Sequence, residues 1–146
     1  MLIEFAFFQV ESFQRYLPVS RTTIELPAIQ RRLISELKKL GKPIIFVNYS
    51  GSAVGLEPES KICDAILQAW YPGQAGGTAV ADVLFGDYNP SGKLPVTFYK
   101  HTDQLPDFQD YSMKGRTYRY MAESPLYSFG HGLSYTNFTY GPATLS

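Results

Sequence analysis

Apolar residues recur at helical spacing between residues 27 and 40. They are Ile29, Leu33, Ile34, Leu37 and Leu40. Pro27 opens this segment and Gly41 follows it, as is typical of the first turn and the end of a helix. The pattern therefore predicts a helix over residues 27–40, with its arginines and lysines mostly on a solvated face.

Two short apolar runs come after this helix. Residues 44–47 form an uninterrupted run, and the segment DAILQAW supplies another after the turn-like EPES, whose Glu57 and Glu59 are expected to be exposed charges. Runs of this kind are typical of strands that are buried on both faces. A helix, a strand, a connection and a second strand in this order predict an α/β layer with parallel strands.

A second helix is predicted over AGGTAVADVLFG, between the turn YPGQ and the terminating Gly86. Its small side chains would allow close packing against the sheet. LPVTFY then predicts a third strand. Beyond Lys100 the chain is irregular and rich in aromatic residues, and the alternation in GLSYTNFTY predicts an edge strand.

Composition narrows the function. The 146 residues are 45% hydrophobic, which suits one domain, and 13 basic residues balance 13 acidic ones, so we expect neither nucleic acid nor a charged membrane as a partner. A single cysteine, Cys63, excludes an internal disulfide framework and is expected to fill the core. His131 has no second histidine at ligand spacing, so we expect no metal or cofactor. No apolar run is long enough to span a membrane. The first residues lack a secretory-signal pattern, and the sequence fixes no compartment.

The glycines of PGQAGGT raise one alternative, because a glycine-rich turn that opens a helix can hold a phosphate group. This order lacks the lysine of a P-loop and the glycine spacing of a dinucleotide-binding fingerprint. A nucleotide-binding α/β domain is therefore a remote alternative. It would be supported if adding a nucleotide shifted the amide signals of residues 76–78.

Three longer motifs occur in a fixed order, namely AWYPGQAGGTAVADVLFGDYNPSGKLPVTF, GRTYRYM and PLYSFGHGLSYTNF. They closely resemble the C-terminal α/β-sandwich domain of glycoside hydrolase family 3, in its β-xylosidase branch and related bacterial β-glucosidases. The resemblance implies a partial three-layer α/β sandwich, with a mostly parallel sheet flanked by helices and an irregular, aromatic-rich C-terminal segment. Residues 21–146 are expected to be a partial family domain. Residues 1–20 are expected to be a non-family segment of truncated or frame-shifted origin.

The resemblance also implies a retaining exo-glycosidase that releases β-linked xylose or glucose from non-reducing ends. Retention requires two carboxyl groups about 5–5.5 Å apart. In the family the nucleophile lies on an N-terminal barrel, which this chain does not contain. The family's acid/base precedes a Gly-Asp-Arg segment, where this chain reads Val-Ser-Arg at residues 19–21. Glu11 is the one weak candidate for the acid, so we expect the chain to be inactive without the barrel domain.

Substrate contacts are expected beyond the carboxyl ends of the strands, in the loops of residues 48–52 and 71–74. Trp70 and Tyr71 are candidate stacking residues, and Arg116 and Tyr118 are candidate hydrogen-bonding residues for a sugar. The competing interpretations are interdomain packing for Trp70 and pinning of the C-terminal segment for Arg116 and Tyr118.

Two further expectations follow from a domain without its barrel. Exposed apolar surface and an unpaired sheet edge would favour self-association. A sandwich that has kept its fold but lost its catalytic groups could also serve as a non-catalytic carbohydrate-binding or interaction module, which is the alternative function.

Overall fold

The computed structural model of the chain describes residues 22–144 in full and residues 4–9 by their backbone. The elements in chain order are β1 (Glu4–Gln9), α1 (Ala28–Lys38), β2 (Ile44–Tyr49), α2 (Glu57–Ile62), β3 (Ala65–Gln68), α3 (Gly76–Phe85), a 3₁₀ turn (Thr102–Gln104) and α4 (Thr117–Tyr120). The predicted α/β fold with a parallel sheet and helices is confirmed.

The three strands form one parallel sheet in the order β1, β2, β3. In the register of β1 and β2, Glu4 pairs with Ile44, and in that of β2 and β3, Ile45 pairs with Ala65. Each crossover between neighbouring strands carries a helix, α1 in the first and α2 in the second. Both strand pairs are parallel, so the carboxyl ends of β2 and β3 meet at one edge of the sheet.

The hydrophobic core lies between the sheet and these two helices. Phe46 of β2 is fully buried at its centre and packs with Ile34 of α1. The other buried members are Leu26, Val54 and Leu56, and Ile62, Cys63, Ile66 and Leu126 pack against them partly buried. Because the cluster draws on α1, on the segments around α2 and on two strands, α1 and α2 cover the same face of the sheet.

Local chemistry explains where the helices begin and end. Pro27 precedes α1, and its carbonyl oxygen accepts hydrogen bonds from the amides of Gln30 and Arg31. Pro58 lies in the first turn of α2. Gly86 ends α3 with a left-handed backbone, at a φ of 88°, which glycine adopts without steric cost. The predicted end of α3 at Gly86 is therefore confirmed.

Three local predictions were wrong. The turn-like EPES is part of helix α2, and its Glu59 is buried rather than exposed. The segment LPVTFY pairs through an isolated bridge between Phe98 and Tyr127, not as a third strand of the sheet. GLSYTNFTY forms no strand. The aromatic C-terminal segment is instead fixed by side-chain hydrogen bonds, as where Asn89 contacts residues 135 and 136.

The small residues of α3 do not all serve close packing. Gly76 and Val80 are buried, whereas Gly77 and Ala79 are exposed to solvent.

Within the described part of the chain, no helix combines the length and the apolar character needed to cross a bilayer.

Candidate functional site

The loops that follow β2 and β3 meet at the carboxyl edge of the sheet. They are held by what we call the amide network, formed by Asn48, Ser50 and Gln68. Asn48 Nδ2 donates to Gln68 Oε1 at 2.6 Å and to Ser50 Oγ at 3.0 Å. Gln68 Nε2 donates to Ser50 Oγ at 3.1 Å and to the Ser50 carbonyl oxygen at 3.3 Å. The sequence prediction named the loop of residues 48–52 but not this network.

Tyr71 lies directly over the loop that follows β2. Its ring is so close to Gly51 that a Cβ atom on that glycine would lie 2.2 Å from Cε2 of the tyrosine. Tyr71 nevertheless remains 75% exposed to solvent. An exposed ring beyond the end of a parallel strand has the form expected of a stacking surface for a sugar ring.

Trp70 has a different environment from its neighbour. Its ring is partly buried and meets Phe98 edge-on, with ring centroids 6.1 Å apart. Its backbone is left-handed, at a φ of 54°, which is uncommon for a bulky residue and persists only where the surroundings hold it. Trp70 therefore anchors the loop of residues 70–74, which we call the WYPGQ loop, onto Phe98 of the LPVTFY segment.

Arg116 and Tyr118 lie on the C-terminal segment, more than 40 positions after the WYPGQ loop. The guanidinium of Arg116 donates to the carbonyl oxygens of Ser112 and Asp110, within its own loop. The ring of Tyr118 stacks on Phe129 with centroids 6.2 Å apart, and its backbone amide donates to Thr97 Oγ1. The bond from the Tyr118 amide to Thr97 supports pinning of the C-terminal segment at position 118, whereas the contacts of Arg116 stabilise its own loop.

The described carboxylates are largely engaged with neighbouring groups. Glu59, 1% exposed, accepts from Arg31 Nε at 2.9 Å. Glu25 accepts from both the amide and the hydroxyl of Thr102. Further pairs are Glu36 with Lys39, Glu57 with Lys61 and Asp64 with Lys38. Glu11, the weak candidate for the acid, lies outside the described residues.

The structure also bears on three other kinds of chemistry, namely a reactive thiol, a metal site and a nucleotide site. Burial and the nearby Glu59 raise the pKa of the Cys63 thiol to about 11, so it is protonated and packs against the core at neutral pH. The described residues contain no group of three or more His, Cys, Asp or Glu side chains that could hold a metal ion. The amide of Gly76 donates to the Gly73 carbonyl oxygen at 3.0 Å, so one of the amides that the nucleotide alternative needs is already occupied.

These features define a class of protein. A parallel sheet, two helices on one face and polar and aromatic loops at the carboxyl edge form an α/β domain of the kind that binds ligands at that edge. The chain matches the model of the glycosyl hydrolase family 3 C-terminal domain over residues 6–135. It therefore belongs to glycoside hydrolase family 3. The match begins within residues 1–20, and the truncated or frame-shifted origin of that segment stays a prediction.

Individual relatives support the same assignment. The chain is 67% identical over 123 residues to a xylan 1,4-β-xylosidase from Xylanibacter ruminicola, covering 84% of this chain and 14% of that protein. It is 48% identical over 139 residues to a periplasmic β-glucosidase from Salmonella typhimurium, covering 87% and 18%. The crystal structure of β-glucosidase 3B from Thermotoga neapolitana in complex with glycerol superposes with a TM-score of 0.71 at 34% identity, covering 78% and 19%. The chain thus spans less than a fifth of the length of these relatives.

Proposed function

We propose that this chain is the C-terminal-domain part of a retaining, exo-acting β-glycosidase whose substrate is a β-xyloside. The observation that carries the proposal is the 67% identity to the xylan 1,4-β-xylosidase, which exceeds the 48% identity to the β-glucosidase. A β-glucoside is the second candidate substrate, because relatives with that activity in their names match a similar share of the chain.

The catalytic carboxyl pair is proposed to come from outside the described residues. Retention needs two carboxyl groups about 5–5.5 Å apart and free to react. The described Glu59, Glu25 and Asp64 are each bound to groups of the domain itself. The domain would then contribute its carboxyl-edge loops to the sugar pocket, while the barrel domain of the parent enzyme would supply the nucleophile.

Within this pocket, Tyr71 is the proposed stacking residue and Trp70 its anchor. The support is that Tyr71 exposes its ring at the sheet edge, whereas Trp70 packs on Phe98. Tyr118 is proposed to hold the C-terminal segment in place, since its backbone amide donates to Thr97 Oγ1 and its ring stacks on Phe129. Arg116 is proposed to stabilise its own loop, since its guanidinium donates to the carbonyl oxygens of Ser112 and Asp110.

A chimeric enzyme tests this proposal. The 123 residues of the Xylanibacter ruminicola protein that match would be replaced by the corresponding residues of this chain. We expect a folded chimera that hydrolyses an aryl β-xyloside in preference to an aryl β-glucoside, and whose KM rises when Tyr71 is changed to alanine. A folded chimera with no activity, or with a preference for the glucoside, would contradict the proposal.

The exposed Tyr71 ring also favours a second candidate function, a carbohydrate-binding module without catalysis. Titration of the isolated chain with xylobiose and cellobiose, read by calorimetry, separates the two functions. The glycosidase proposal predicts no measurable binding, because the pocket is incomplete without the barrel domain. Saturable binding that is lost in Tyr71→Ala would support the binding module instead.

A further inference from the structure

Hydrogen bonds link each member of the amide network to the other two. Asn48 donates two hydrogen bonds, Gln68 accepts one and donates two, and Ser50 Oγ accepts two and donates one to the Ser52 carbonyl oxygen at 2.9 Å. The hydroxyl of Ser50 thereby uses its full capacity of one donor and two acceptor sites. Each member depends on the other two.

Two members of the amide network are buried, so the loss of one of its hydrogen bonds would be costly. Asn48 is 0% and Ser50 4% exposed, so a lost bond would leave a polar group without water to replace its partner. Asn48 Oδ1 has no hydrogen-bond partner, so this side chain enters the network through its amide nitrogen alone. An aspartate at this position could not donate either bond.

The network joins the two strands at the point where their loops begin. Asn48 and Gln68 are paired in register, on the face of the sheet that also carries the core residues Phe46 and Ile66. The next hydrogen bond of the ladder runs from the Ala69 amide to the Asn48 carbonyl oxygen at 2.9 Å. Directly afterwards the backbone turns left-handed at Trp70 and brings Tyr71 over Gly51.

We propose that the amide network positions the WYPGQ loop, so that Asn48, Ser50 and Gln68 act through Trp70 and Tyr71 on the sugar pocket. Hydrogen bonds from Gln68 connect the end of β3 to Ser50, in the loop beneath Tyr71. Only Ala69 separates Gln68 from the left-handed backbone of Trp70. The inference rests on the proposed function only in taking the WYPGQ loop as part of that pocket. The positioning itself is a property of the isolated domain.

The fluorescence of Trp70 tests the positioning directly, because Trp70 is the one tryptophan in the sequence. The variants are Gln68→Met, which keeps the length of the side chain without its amide, and the milder Ser50→Ala. Gly73→Ala serves as the matched control, because a Cβ atom on Gly73 would meet no heavy atom within 4 Å. Circular dichroism establishes that each variant is folded before its emission and acrylamide quenching are measured.

We expect Gln68→Met and Ser50→Ala to shift the emission of the folded protein to longer wavelength and to increase its quenching, with Gly73→Ala unchanged. A network that only adds stability would lower the melting temperature and leave both optical readouts of the folded state as in the wild type. That result would overturn the proposal. If Gln68→Met does not fold, Ser50→Ala decides the question.

The chimeric enzyme separates this proposal from the proposed function. There, Gln68→Met should raise KM about tenfold with kcat nearly unchanged, as expected when a binding surface is misplaced without loss of the reacting groups. An inactive chimera, together with an isolated chain whose Trp70 emission still responds to Gln68→Met, would contradict the glycosidase proposal alone. An active chimera with wild-type KM in both network variants, together with wild-type emission of the isolated variants, would contradict the positioning alone.

Discussion

Gly76, the first residue of α3, lies where a larger side chain would collide with Pro72. A Cβ atom on this glycine would lie 2.4 Å from Cβ and 2.7 Å from Cγ of Pro72, whose ring cannot rotate away. Overpacking of this kind costs about 1–3 kcal/mol, so we predict that Gly76→Ala lowers the free energy of unfolding by about that amount in urea denaturation.

Gly77 is the matched control for this prediction. It is the next residue of α3, it is exposed, and a Cβ atom there would meet no heavy atom within 4 Å. Because glycine inside a helix costs roughly 0.5–1 kcal/mol relative to alanine, Gly77→Ala should stabilise the domain slightly. Equal effects of the two substitutions would show that the Pro72 contact is not what requires glycine at position 76.

Glu25 gives the domain a pH-dependent contribution to stability. Burial acts to raise the pKa of Glu25, but hydrogen bonds, chiefly from Thr102, outweigh it and hold the pKa at about 2 instead of 4.5. The folded-state pKa is thus below the unfolded-state value. The ionised carboxylate therefore stabilises the fold fully above pH 4.5, and this contribution is lost as the pH falls towards 2.

We predict that the stability difference between the wild type and Glu25→Gln is largest at neutral pH and narrows as the pH falls from about 4.5 to about 2. Thr102→Val, which removes the hydroxyl donor, should reproduce part of the effect. Urea denaturation across this pH range measures it. Stability curves of the wild type and Glu25→Gln that run parallel with pH would contradict the assigned role of Glu25.

The candidate site illustrates what residue type can and cannot predict. Trp70 and Tyr71 were identified as candidates because aromatic residues followed a predicted strand. The sequence did not reveal which of the two is exposed, since that depends on the left-handed backbone of Trp70 and on the ring of Phe98, 28 positions further along. The only sign of the amide network in the sequence is that the polar residues Asn48 and Gln68 end otherwise apolar runs. The sequence does not show that these two residues meet, because that depends on the register of β2 and β3.

Helices α1 and α2 are joined by a partly buried ion pair. Arg31 of α1 donates through Nε to Glu59 of α2 and through Nη2 to the Gly55 carbonyl oxygen. The side chain of Glu59 is 2% exposed and that of Arg31 is 30% exposed. Removal of one partner from a buried pair costs 3–5 kcal/mol, because the other charge is left without compensation.

We predict that Arg31→Met lowers the free energy of unfolding by about 3 kcal/mol, at the lower end of that range because solvent reaches Arg31. Replacing both residues with methionine should restore most of the loss, since no charge is then left buried. Thermal and urea denaturation of the two variants measure this difference. A double variant less stable than Arg31→Met would show that the pair itself, rather than the orphaned Glu59, sets the cost.

The elements that the sequence predicted are those whose signal is local. Helices α1 and α3 and strands β2 and β3 have apolar periodicity, terminating glycines or uninterrupted apolar runs. Helix α2 was read as a turn because EPES combines proline with charged residues, yet proline in a first turn and the contact of Glu59 with Arg31 stabilise a helix there. The segment LPVTFY was read as a strand of the sheet, but its pairing partner is Tyr127 of the C-terminal segment.

Helix α1 and the C-terminal segment are among the parts of the domain that expose apolar side chains. On α1, Ile29 is 73% and Leu33 is 47% exposed, at a shallow depression of about 310 Å³ that Gln30, Arg32 and Glu36 also line. On the C-terminal segment the most exposed aromatic residues are Phe108, Tyr111 and Tyr140. Apolar surface of this kind marks contact sites, and the parent enzyme is the proposed source of the contacts.

We predict that the isolated chain self-associates, so that its average mass in sedimentation velocity rises with concentration. The double substitution Ile29→Gln and Leu33→Gln should reduce this association, because it removes the apolar groups of the exposed α1 face. Glu36→Gln, on the same face, removes a charge and no apolar group and should leave the association in place. A monomer at every concentration would contradict the prediction.

We propose that this chain is the scaffold part of a β-glycosidase whose pair of catalytic carboxyl groups is completed by the parent enzyme. The most direct measurement is the hydrolysis of an aryl β-xyloside by the purified, folded 146-residue chain. The account predicts release of the aryl group at the rate seen in buffer alone, with Glu11→Gln giving the same result as the wild type. Turnover proportional to the concentration of the chain, and abolished by Glu11→Gln, would contradict it.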